Sequence, residues 1–252
     1  MIPPLSLASD PAKKIILKHA TVADMIDFAG LDTGHEEELT SIFLNRLQDK
    51  ATYSDAKLWT AEDRRLALFW YWLHTTKDYE QPLTYDCGHC GMQHTFLFDY
   101  RQLSNGYQTI KGKPERDFEF QGDPVVVRPL DGNDMEILEA MRLELDAIRE
   151  EQGSGSGAYH RQDALMQITR LQAATDYPRE KIMALEADQF SEFAGMVYLA
   201  LEDMTHGLES KYDNGRISLL IPPHQCPNVK DREATTRLWV FFRNSDYIPQ
   251  LF

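Results

Sequence analysis

Three cysteines in 252 residues are too few and too uneven for a disulfide framework, so the simple expectation is a reducing compartment. No stretch approaches the roughly 18 consecutive apolar residues that span a bilayer, and no membrane partner is expected. The first ten residues lack the basic start and apolar run of a signal peptide, and Pro3 and Pro4 point to an extended arm. There is no phosphate loop, no dinucleotide glycine pattern and no Gly-x-Ser-x-Gly elbow. The Gly-Ser-Gly-Ser-Gly run at 153–157 is not followed by Lys-Ser or Lys-Thr, and reads as a linker. No enzyme activity and no small-molecule substrate are therefore expected. Positive charge is also scarce. Lys and Arg number 26 against 40 Asp and Glu, a net −14. Phosphate affinity rests on Lys and Arg, so this balance argues against a nucleic-acid partner.

What is present is enough apolar material for a real core: 42% hydrophobic and 11% aromatic residues. The acid is concentrated. Residues 131–151 hold eight acids and two bases, and residues 186–209 hold six acids and no base; each stretch is −6. The tail, 210–252, has six bases and four acids, a net +2. Such asymmetry suits complementary docking to neighbouring subunits. It also suits two solvated helix faces, and both readings stay open.

The periodicity of apolar residues divides the chain. Residues 1–18 read as an arm and a short strand, Lys14–Lys18. Region 19–80 is helical. Thr21 caps a first helix that Gly30 ends. A second runs from Thr33 to Gln48, and Thr60-Ala-Glu-Asp63 opens a third in capping-box style. Leu66, Phe69, Trp70 and Leu73 form the stripe of that third helix. From 81 to 130 the period is two, with Phe96, Phe98 and Tyr100 alternating with Thr95, Leu97 and Asp99, which predicts an antiparallel β-meander. Region 131–210 is helical again, with a Gly/Ser linker at 152–158 and a break near Ala187. Region 211–252 predicts a C-terminal β-hairpin, Ile217–Ile221 and Arg237–Phe242, and an aromatic tail. Segregated helices and strands predict an α+β fold. His35-Glu-Glu-Glu38 and Thr205-His-Gly207 read as a helix start and a helix end, where the dipole favours acids and histidine respectively.

Cys87-Gly-His-Cys90-Gly91 carries the most chemistry. As a redox motif it would need to open a helix, whose N-terminus lowers a thiol pKa. Its flanks, Leu83–Asp86 and Met92–Phe98, read as strands instead. As a metal knuckle it offers two thiolates on one edge of a tetrahedral Zn²⁺ and needs two further ligands. Cys226 is the nearest in kind, since it too follows a strand and precedes an aromatic one. The fourth ligand is His224, with His94 as the alternative; His89 is a further imidazole nearby. A third reading leaves the cysteines as small buried apolar groups with no metal.

Taken together, Leu83-Thr-Tyr-Asp-Cys87-Gly-His-Cys90-Gly91, Thr95-Phe-Leu-Phe-Asp99 and Val125-Val-Val-Arg-Pro-Leu-Asp131 running into a helix resemble the baseplate hub subunit family of contractile-tailed, T-even-type bacteriophages. The resemblance covers residues 15–150 best. It implies a virion tail protein that is made in the host cytoplasm, has other tail and baseplate proteins as partners, and acts through protein–protein contacts. An assembly chaperone absent from the mature particle is the first alternative implied. A zinc-ribbon adaptor and a thiol oxidoreductase are alternatives from the motif alone.

Overall fold

In this computed structural model the described residues are 1–31, 34–104, 106–213, 216–230 and 233–248. The fold is α+β, with antiparallel strands and segregated helices. The N-terminal arm is not a free extension. Ile2, Leu5, Leu7 and Ala8 are all buried, and β1 (Leu5–Ser6) pairs with β2 (Lys14–Ile15). Its anchor is Asp63. In a capping box that carboxylate would turn back to the cap residue's N–H. Here it accepts hydrogen bonds from the N–H groups of Ala8 and Ser9 and from the Ser9 hydroxyl. Thr60 still caps the helix, accepting from Asp63 N at 3.1 Å.

Helices α1 (Val22–Ala29), α2 (Glu36–Leu47) and α3 (Ala61–Thr75) follow. Residue 33, the expected start of α2, lies outside the described residues. α2 has no side-chain cap of its own at His35. A carboxylate from a later helix takes that place: Glu139 Oε2 accepts from Glu37 N at 3.0 Å. α3 buries Leu66, Ala67, Leu68 and Phe69 completely, as its nearly all-apolar surface requires.

The central strands form two separate hairpins where one continuous meander was expected. β3 (Glu80–Asp86) pairs with β4 (Gln93–Asp99), setting Tyr85 opposite His94. A four-residue helix, α4 (Arg101–Ser104), then leads towards β5 (Arg116–Phe120) and β6 (Asp123–Val127), which pair with each other. The split follows from burial. Phe98 and Tyr100 join the large core of the arm, α2, α3 and the tail. Phe120, Val125 and Val127 join a second core with the later helices.

α5 (Gly132–Gln152) and α6 (Gly157–Ala174) form an antiparallel helical hairpin. The expected linker at 152–158 is a tight turn. Gly153 sits at φ 82°, the left-handed region that favours glycine at a helix end, and Ser156 caps α6. The expected break near Ala187 is present, between α7 (Arg179–Met183) and α8 (Ala187–Asp203). In the tail, β7 (Ser210–Asp213), β8 (Arg216–Gln225) and β9 (Thr235–Phe242) make a three-stranded sheet, one strand more than predicted. The register slips between Ile221 and His224, where Pro222 and Pro223 have no N–H to offer the ladder. Tyr247 and Ile248 return to the large core; residues 249–252 lie outside the described residues.

Candidate metal centre

The turn of the β3–β4 hairpin and the turn after β8 meet. Cys87, Cys90, His94 and Cys226 place one ligand atom each within 4.8 Å of all the others. His94 Nε2 lies 3.1 Å from Cys90 Sγ and 3.9 Å from Cys226 Sγ. Ligands on one tetrahedral Zn²⁺, with bonds near 2.3 Å to sulfur and 2.0 Å to nitrogen, stand about 3.5–3.8 Å apart. The cluster is thus close to the size such an ion would impose. His94 reaches it because β4 alternates: positions 94, 96 and 98 point inward.

The surroundings favour a thiolate at Cys87 and oppose one at Cys226. The N–H groups of His89 and Cys90 point at Cys87 Sγ, and that of Asn228 at Cys226 Sγ. Burial raises the Cys87 thiol, but those N–H groups and its contacts with Cys226 and Cys90 outweigh it and bring the group down to about 6. Cys226 goes the other way: burial raises it, and the neighbouring thiols add to the rise against the Asn228 N–H. Asn228 Nδ2 donates to Met92 Sδ at 3.3 Å and sits 3.8 Å from Cys90 Sγ. The buried Tyr85 hydroxyl has no hydrogen-bond partner among the described residues. Burial raises its pKa, and negative charge on Cys87, Cys226 and Cys90 raises it further.

Cys87, Cys90 and Cys226 stand together as the sequence proposed, and His94, the alternative, is the fourth member. His224, placed first for that role, is elsewhere. Its ring stacks on Phe96 with centroids 3.8 Å apart and planes at 9°. Burial, and then charge on His94, lower its pKa. The slip at Pro222-Pro223 sets its place in β8, opposite Thr236. His89 points across the seam, its Nε2 donating to Thr235 O at 3.0 Å. Tyr85 was named from sequence only as part of the Cys-turn motif, and Asn228 not at all. The strand alternation that marks Cys87 as inward marks Tyr85 too; nothing local marks Asn228 until the two turns meet. No family profile, curated protein or solved structure matches this chain.

Proposed function

We propose that the chain is a structural protein acting through protein–protein contacts, with one Zn²⁺ held by Cys87, Cys90, His94 and Cys226 as an internal staple. The observation that carries this is a set of four protein donors within 4.8 Å of one another. Structural zinc sites are closed by four protein ligands, whereas catalytic ones keep a position for water or substrate. A staple would also matter at this point. Among the described residues the local apolar cluster is small: Tyr85, Cys87, Cys226 and Ala234 are buried, with Cys90, Phe96, Val229 and Leu238 half-buried against them, so four metal bonds would add much to the hold at this end.

The setting we propose is the baseplate of a contractile phage tail, on the residue pattern around Cys87 and the run from Val125 to Asp131. The concentration of acid in 131–151 and 186–209 against a basic tail supports docking between subunits. Two measurements test the reading. Metal analysis of the purified full chain should return about one zinc per chain; a value under ~0.2 removes the staple. Mass spectrometry of purified tails should find the chain. Its absence from tails, with assembly still dependent on it, would replace the virion component by an assembly chaperone.

A further inference from the structure

The two turns that meet at the metal centre are more alike than their ligands. In Cys87-Gly-His-Cys90 the first residue is buried, the next two exposed and the fourth half-buried. Cys226-Pro-Asn-Val229 has the same pattern in the same order. In both turns the N–H of the third residue points back at the first cysteine's sulfur. Both cysteines also close their hairpins through the backbone: Cys87 N donates to Met92 O at 2.9 Å and Cys226 N to Ala234 O at 2.8 Å. Val229 therefore occupies in the second turn the position that Cys90 occupies in the first. It packs against the Cys87–Cys226 cluster, as Cys90 does.

Resting on the zinc reading above, we infer that the centre is a two-turn site whose second turn lacks its own second ligand, with Val229 in that ligand's place and His94 supplying the missing donor from the opposite hairpin. An isopropyl group cannot coordinate. A site with three sulfurs needs a fourth donor to close the tetrahedron, and His94 is the inward-facing group on β4 nearest the thiols. The consequence is an uneven division. Residues 87–94 hold three of the four donors, and the tail holds the metal by the single sulfur of Cys226.

The test uses the full chain in four forms: wild type, His94→Ala, Val229→Cys and the double variant. Zn²⁺ affinity is measured by competition with a chelator, and the thiolate-to-metal absorption is read with Co²⁺. His94→Ala should weaken zinc by more than about 100-fold, and adding Val229→Cys should return affinity to within about 10-fold of wild type. The Co²⁺ absorption of the double variant should exceed that of wild type by about a third, four thiolates against three. A folded double variant that binds zinc no better than His94→Ala overturns the inference while leaving the staple intact. A wild type that binds no zinc overturns the staple itself. Should the double variant not fold, Val229→Cys alone decides. Thiolate is the softer donor and should displace the imidazole, raising the Co²⁺ absorption by the same third; an unchanged band overturns the inference.

Discussion

The tail is tied to the front of the chain at two places, and the two ties use opposite chemistry. Near residue 247 the tie is apolar area with buried polar bonds. Tyr247 stacks on Phe242 and meets Phe69 and Trp72 edge-on. Asn244 and Ser245 hydrogen-bond the carboxylates of Glu36 and Glu37. Behind them Arg64, fully buried, pairs with Glu37 at 3.1 Å. Near residue 226 the apolar cluster is smaller, and the tie adds a group of four side-chain atoms close enough to hold a metal ion. The difference shows what a small interface lacks. A large core is held by many weak contacts that survive the loss of any one. A small cluster gains more from a few strong, directional bonds.

The largest break of the first tie should come from a single methyl group. A Cβ on Gly132 would lie 1.7 Å from Arg64 Nη1 and 2.9 Å from the backbone at Lys57. Arg64 cannot swing away without abandoning Glu37, and the Lys57 backbone cannot yield cheaply. Gly132→Ala is expected to cost about 4–5 kcal/mol, at the upper end for one residue. Thermal denaturation should show a fall in Tm of about 10–15 °C. A fall under ~3 °C would mean that the joint is looser than its distances imply.

Breaking the second tie should be smaller and local. Cys226→Ser, or stripping zinc with a chelator, is expected to cost about 3–4 kcal/mol when free zinc is several hundred times its Kd. Hydrogen exchange should accelerate through β8, β9 and the 87–94 turn while the amides of α3 stay protected. Equal acceleration in both regions would mean that the two ties are one cooperative unit.

The first tie also carries a pH dependence of its own. Burial raises Glu139 to about 7, with the Glu37 carboxylate pushing the same way and the N–H groups of Glu37 and Glu36 and the Arg142 guanidinium opposing. A carboxyl raised on folding favours the folded state fully below its unfolded value, near 4.5. That contribution is lost as pH rises through 7. Glu139→Gln keeps an oxygen for Glu37 N and has no charge to bury. It should be more stable than wild type at pH 8, by at most about 3 kcal/mol, and the advantage should fade towards pH 4. Denaturant midpoints across that range check it; a difference independent of pH would refute the assignment.

The same division explains what the sequence disclosed. Elements set by short-range pattern were legible: the Thr60 cap, the α3 stripe, the β3–β4 hairpin with its Cys turn, the break before Ala187. Features set by partners distant in sequence were not. Nothing in the alternation at 81–130 says that Phe98 and Phe120 enter different cores. Asp63 reads as a cap residue and instead fastens Ala8 and Ser9. Glu37 reads as a solvated first-turn acid and instead meets Arg64 and Asn244. At the metal centre the three sulfurs were legible by type. The choice of imidazole was not, because it depends on the phase of two strands relative to each other.

That choice yields the smallest expected effect and the sharpest one. His224 and His94 both sit beside Tyr85, with ring centroids 5.9 and 5.7 Å from it. Their tasks differ: the His224 ring lies flat on Phe96, and His94 Nε2 faces the thiols. His224→Ala removes a stacked pair worth about 0.5–1.5 kcal/mol, and should leave the zinc content of the purified chain unchanged. His94→Ala should empty or weaken the site while sparing that stack. Zinc analysis of the two variants side by side therefore tests the ligand assignment. Loss of zinc from His224→Ala, with His94→Ala still loaded, would reverse the assignment.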